Sequence, residues 1–367
     1  MNILIIGATK KEIGYHYSDM KTINLAKGFM SLGYDVYMPK ECDTYGEPGI
    51  KLDSMKTFEK SMFQVIIFTR ENYIKKFSAQ YPKIKEIINK VSDSSTPYRV
   101  YRFGKPGWYK EVFKDVNDFY IKADLILPQT WGICKKFIST INDNEGKIWA
   151  SPMGVPEEIP PASENPYPAN KINMVYMGRF RHTPPRFDFF NQVMRKLGKN
   201  YLLHIFPGSF SINLTEQKRN PMETDQLNFL KKLFSEDNII VHEPVPWGKH
   251  WNYLQHANIG IDVTPSLHRK GVGGGNAKLL EYMRTGLPTI TEIGVTNLDV
   301  MTKVNGGIVV QANNVNSYVR GIQKMQEMSF DRARISELTK ATNSFKIRAL
   351  EIIEYLGMSK EVNLFLP

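Results

Sequence analysis

The sequence predicts an α/β protein of two doubly wound halves, and three observations predict it. Short apolar runs alternate with segments of helical spacing along nearly the whole chain. At 367 residues it is too long for one ordinary core and suits two. Finally, a proline-rich stretch parts two alternating series of similar size. The expected division is an N-terminal half over 1–155, a linker over 156–170, a second half over 171–340 and a closing helical segment over 341–367.

In the first half, Asn2 to Ile6 is a short apolar strand ending at Gly7. A loop leads into Thr22 to Leu32, where Ile23, Leu25, Ala26, Phe29, Met30 and Leu32 recur at helical spacing. Gly33 ends that helix, and Tyr34 to Met38 is the next strand. Strand, loop, helix and strand make a βαβ unit, whose ligand side is the carboxyl end of its strands. No GxGxxG is present, which argues against a bound dinucleotide. Strands follow at Gln64 to Thr69, Tyr98 to Arg102 and Ala123 to Pro128, with a helical piece at Ile84 to Val91.

Beyond the linker the second series reads strand Ile172 to Met177, helix Phe187 to Leu197, strand Leu202 to Phe206, helix Asp225 to Phe234 and strand Asn238 to Val241. Helix His250 to Gln255 and strand Ile259 to Val263 come next, then a glycine loop with its helix. Strands Thr289 to Glu292 and Gly307 to Gln311 and helices over Val315 to Met328 and Arg332 to Tyr355 complete it. Two such Rossmann-like sheets facing each other would set their strand carboxyl ends on either side of a cleft.

Composition narrows the class. Hydrophobic content of 42% with 23% charged residues is that of a soluble globular protein. The first thirty residues do not resemble a signal peptide, and no apolar run approaches the roughly 18 residues that span a bilayer, so a cytoplasmic protein is expected. Cys42 and Cys134 lie far apart without metal-like spacing, which leaves free thiols and no zinc site. A net charge of +11 suits an anionic partner, whether nucleotide, nucleic acid or acidic membrane, or simply a basic surface.

The richest stretch is GVGGGNAKLLEYMRTGLPTIT, Gly271 to Thr291. Gly273, Gly274 and Gly275 let backbone N–H groups approach a ligand, and Asn276 is a good N-cap for the helix that follows. The free N–H groups of that first turn favour an anion such as a diphosphate. Lys278, Glu281 and Thr285 fall at i, i+3 and i+7, opposite Leu279, Leu280 and Met283. A lysine near phosphates and a carboxylate one turn on, able to accept from two ribose hydroxyls, would hold a nucleotide diphosphate. The same residues also fit an ordinary glycine-rich loop before an amphipathic helix.

Taken in order, the glycine-containing loop with TINLAKGFMSLGYDV, then ADLILPQT, SPMGVP, MVYMGRF, IGIDVTPS and NAKLLEYMRTGLPTI cover nearly the whole chain. With them the sequence resembles the GT-B-fold glycosyltransferases, most of all the family-4-type group that uses nucleotide-sugar donors. The resemblance implies two Rossmann-like domains facing across a cleft, with the donor on the second and the last helix returning to the first. It implies Glu281 as the ribose ligand, Arg179 as a phosphate ligand and Arg186, in preference to Arg181, as the second basic residue. With Gly273, Gly274, Gly275, Asn276 and Lys278 these form the expected donor site. The expected reaction is metal-independent hexosyl or pentosyl transfer from a nucleotide-diphosphate sugar, a UDP-sugar before others, to an acceptor hydroxyl.

Two departures stand out. The family's usual glutamate eight positions before the ribose ligand is replaced by Gly273, and the usual histidine after the fourth strand is absent, that loop reading YRFGKPGWYK with Arg102 and Lys105. A base for an inverting route would come from His16 or Asp19 in the first loop, although Asp19 also suits a helix cap. His268, Arg269 and Lys270 fit either a phosphate contact or a solvated loop, Asp262 fits a turn better than a ligand contact, and Trp247, Trp251 and Tyr253 fit packing better than base stacking. The acceptor expected is a glycan or lipid-linked molecule of the cell surface, handled in the cytoplasm, with peripheral contact at the anionic inner membrane face. The alternatives are a phage-type DNA-base glycosyltransferase, with nucleic acid as acceptor, and a catalytically inactive nucleotide-sugar-binding module.

Overall fold

The computed structural model describes residues 1–7, 17–39, 47–53, 62–69, 98–103, 123–128, 134, 138, 146–178, 185–207, 227–228, 230–243, 245, 248–263, 277–293 and 295–358. Chain contacts separate two compact units: the first takes Met1–Glu157 with Thr342–Pro367, the second Glu158–Lys270 with Asn276–Ala341.

Unit 1 is built from β1 (Asn2–Ile6), α1 (Tyr17–Ser31), β2 (Asp35–Pro39), β3 (Lys51–Asp53), β4 (Val65–Phe68), β5 (Tyr98–Phe103) and β6 (Leu125–Pro128). Its six strands pair in the order β3-β2-β1-β4-β5-β6, all parallel. The central strands NILII and VIIF are apolar but for Asn2 at the start of the first, as strands covered on both faces must be. The short edge strand β3 was not anticipated: three residues of KLD carry too little pattern to be read as a strand. α1 starts at Tyr17, earlier than the Thr22 expected from apolar spacing, because its polar first turn carries no periodicity.

Unit 2 contains β7 (Ile172–Gly178), α2 (Pro185–Leu197), β8 (Tyr201–Pro207), β9 (Ile239–Val241), α3 (His250–His256), β10 (Ile259–Asp262), α4 (Ala277–Arg284), β11 (Thr289–Glu292), α5 (Val295–Val304), β12 (Gly307–Val310), α6 (Val315–Glu327) and α7 (Arg332–Asn343). Its order, β12-β11-β10-β7-β8-β9, repeats that of unit 1 strand for strand. Successive residues of β7 serve opposite faces. Met174 and Tyr176 join a core with Phe190 and Met194 of α2 and Ile322 of α6, while Val175 joins Trp251 and Leu254 of α3 and Tyr282 of α4. α5 was missed, since VTNLDVMTKV is rich in β-branched residues of lower helix propensity.

The helix expected over Arg332 to Tyr355 is in fact two. Ser344 breaks it in extended conformation (φ −68°, ψ 160°), and its side chain accepts from Ile347 N to cap α8 (Phe345–Tyr355). Ser344 also pairs like a strand residue with Val155, whose N–H donates to Asn343 O and whose carbonyl accepts from Phe345 N, both at 2.9 Å. α8 then lies against α1 within unit 1. The contact needs Gly28, where an added Cβ would sit 2.4 Å from the Phe345 carbonyl oxygen.

A buried polar row crosses one face of the second sheet. Asn173 spends its Nδ2 on Pro168 O and Lys171 O, so its Oδ1 accepts from His204 Nε2, and a neutral His204 then accepts at Nδ1 from His242 Nε2 at 2.9 Å. Burial favours the neutral form of both rings. Burial, with His242 adding to it, pushes the His204 pKa down to about 4, and burial alone does the same to His250.

Candidate functional site

In a sheet of this order the ligand crevice opens where the chain reverses its direction of winding, here between β7 and β10. Their pairing runs Ile259↔Met174 and Gly260↔Val175. Further along, Met177 N donates instead to the Tyr282 hydroxyl of α4 at 2.7 Å. Gly260 permits this, because an added Cβ there would lie 2.6 Å from the Tyr282 ring. Tyr282 is fully buried, and burial holds its phenol pKa well above the ordinary value, so it stays protonated. The tyrosine fastens α4 to the strand ends that flank the crevice.

The helix so fastened carries Lys278 into the opening. Its Nζ lies 3.4 Å from the Tyr176 hydroxyl, 4.5 Å from the centroid of the Tyr176 ring and 3.7 Å from Asp262 Oδ1. Asp262, last residue of β10 and wholly buried, accepts from Thr291 Oγ1 at 2.7 Å through its other oxygen. A buried carboxylate and an aromatic face thus hold the ammonium group of a side chain that is about one-fifth exposed. Gly178 leaves the room: its φ is +154°, and a Cβ would stand 2.9 Å from Lys278 Cδ and 3.3 Å from Nζ. Glu281, one turn on from Lys278, is partly exposed.

The rest of α4 is anchored. Leu279, Leu280, Tyr282 and Met283 are buried, and Arg284 donates to Ser336 Oγ of α7 at 2.7 Å. Thr285, expected on the open face with Lys278 and Glu281, is buried instead and donates to Tyr282 O. It lies in the turn closing the helix, where Gly286 has φ +71° and Leu287 N returns to Tyr282 O. The binding face therefore narrows to Lys278 and Glu281.

Of the other expected site residues, His16, Arg179, Gly273, Gly274, Gly275 and Asn276 lie outside the described residues, as do Arg181, Trp247 and His268 to Lys270. Asp19 and Arg186 are described as backbone only, in α1 and α2. Asp19 is the third residue of α1, inside the helix rather than at its cap. Trp251 is core, and Tyr253 packs on Phe206 with ring centroids 4.7 Å apart. Sequence reasoning gave too little weight to Asp262 and passed over Tyr176 and Tyr282; a lone acid closing an apolar strand next to a winding reversal was the available signal. Among the described residues no cluster of three metal-ligating side chains occurs, and no helix is long and apolar enough to cross a membrane.

No family model matches this sequence, and no curated protein matches it. Solved structures match its fold. Sucrose-phosphate synthase from Thermosynechococcus elongatus is 12% identical with a TM-score of 0.63, over 96% of this chain and 97% of that one. The Anabaena protein HepE, solved in complex with UDP and glucose, is 10% identical with a TM-score of 0.62, over 98% and 100%. The lipopolysaccharide outer core galactosyltransferase WaaB is 14% identical with a TM-score of 0.59, over 97% and 99%. The chain has the GT-B fold of two Rossmann-like domains, carried by a divergent sequence.

Proposed function

We propose that the protein is a glycosyltransferase that takes a nucleotide-diphosphate sugar as donor in the β7–β10 crevice of unit 2. The observation that carries this reading is Lys278, held at the carboxyl ends of two diverging strands with Glu281 one turn away. Cleavage of a sugar–phosphate bond throws negative charge onto the leaving phosphate while the sugar becomes oxocarbenium-like. Lys278 Nζ and the first N–H groups of α4 supply positive potential for that charge. Glu281 accepts from the ribose hydroxyls. Arg179, Arg186, the amides of Gly273 to Gly275 and Asn276 complete the grip on the diphosphate, and His16 or Asp19 serves as base toward the acceptor.

A UDP-sugar is the favoured donor and no metal is required; a complex with UDP and glucose among the similar structures supports the first choice. A cell-surface glycan or a lipid-linked molecule is the favoured acceptor, reached at a cytoplasmic, anionic membrane face by a chain of net charge +11. WaaB, a lipopolysaccharide outer core galactosyltransferase, shares the fold. Because one fold hosts many chemistries, the reading stands on the site. Calorimetric titration with UDP, GDP, ADP and CDP tests it. One nucleotide is expected to bind, and Glu281→Ala to weaken it by about tenfold or more, the loss of hydrogen bonds to a charged group. No binding by any of the four would overturn the assignment.

A further inference from the structure

Unit 1 holds a cation that the described residues around it do not match. Arg102 stands near the carboxyl end of β5, the side on which parallel doubly wound sheets bind ligands. Its guanidinium carries five N–H donors, yet among the described residues its one hydrogen bond runs from Nη2 to Pro152 O at 3.0 Å. The Phe345 ring lies 5.9 Å from the guanidinium carbon and offers a face but no counter-charge. The nearby acid is already engaged, because Arg348 Nη1 donates to Glu351 while Arg348 Nη2 donates to Thr342 O and Asn343 Oδ1. Burial and the second guanidinium, outweighing the pull of Glu351, push the Arg102 pKa down to about 10.

A second, independent observation lies in the segment that Arg102 grips. Among the described residues Ser151, beside Pro152 and 1% exposed, finds no hydrogen-bond partner for its hydroxyl. Arg348 Nε is buried in the same state. Buried donors without acceptors are rare in folded proteins and call for something to satisfy them. We propose that Arg102 and Ser151 receive a phosphate-type oxyanion near the carboxyl end of β5. A planar guanidinium fork meets two oxygens of such a group, a hydroxyl donates to a third, and Arg348 adds positive field. Arg102 is itself partly exposed, so an anion can reach it. The site uses unit 1 residues alone and does not depend on the donor reading.

Calorimetric titration of the full chain with inorganic phosphate at fixed ionic strength tests this, in a Lys278→Met background that removes the cation of the other crevice. One saturable site is expected, lost in Arg102→Met and weakened about tenfold or more by Arg102→Lys, which keeps the charge without the fork, and by Ser151→Ala. Absence of saturable binding, or binding unchanged by both Arg102→Lys and Ser151→Ala, overturns the proposal, and those two variants decide the matter if Arg102→Met fails to fold. Phenyl phosphate separates the sources. Binding as tight as inorganic phosphate assigns the site to a phosphoryl group on a larger molecule, and tenfold weaker binding assigns it to the free ion.

Discussion

The two units share one strand order but finish their central crevices differently. In unit 1 the β1–β4 pairing extends to Thr69, whose N–H donates to Ile6 O at 3.1 Å, and the Thr69 and Thr22 hydroxyls meet at 2.9 Å. Gly7 closes against them so tightly that a Cβ would fall 1.6 Å from Thr69 Oγ1. In unit 2 the corresponding strands are bridged by a tyrosine, and a lysine, a buried aspartate and a second tyrosine occupy the opening. Topology creates the crevice in both; among the described residues, those at the strand ends decide whether hydroxyls or charged groups stand there.

Acid should break the comparison most strongly. His204 and His250, each with a pKa pushed down to about 4, both belong to unit 2. A group whose folded pKa is depressed below 6.5 contributes stability above that pH and loses it as the pH falls toward 4. Unit 2 should therefore lose roughly 2 kcal/mol per histidine between pH 7 and 5. Limited proteolysis mapped along the chain should show unit 2 cleaved first at pH 5, and equal protection of both units would contradict the neutral histidine row.

Smaller effects come from the residues that bridge each crevice. Tyr282→Phe leaves the Met177 N–H without its 2.7 Å acceptor and should cost about 2 kcal/mol, whereas Thr69→Val in unit 1 removes one hydroxyl pair and should cost about 1 kcal/mol. Urea titration of the two variants checks the ranking. Decisive for the reading is Lys278→Met. It leaves the wholly buried Asp262 carboxylate without its cation, which costs stability, and nucleoside diphosphate affinity should fall about tenfold or more. An unchanged affinity would make Lys278 a packing residue of α4.

Much of this architecture was legible in the residues because its signals are local. Apolar runs such as NILII and VIIF marked parallel strands, and Lys278 and Glu281 were legible as a pair because i, i+3 spacing is a property of the helix itself. Three local signals were too weak or were overridden. KLD is too short to show a pattern, α5 has poor propensity, and Ser344 stopped a periodic run because Val155, far away in sequence, offered it a partner.

By itself, then, the sequence determined the α/β alternation, the two series of elements and the helix that carries a lysine and a glutamate, since each depends on periodicity or capping within a few residues. Tertiary structure alone decided that β7 and β10 are neighbours, that Asp262 and Tyr176 hold Lys278, and that Arg102 lies over the Phe345 ring. These are contacts between residues from tens to hundreds of positions apart, and no local preference encodes them. They arise when burial of the apolar faces brings the strands and helices together and leaves a few charged groups to find partners where the strands diverge.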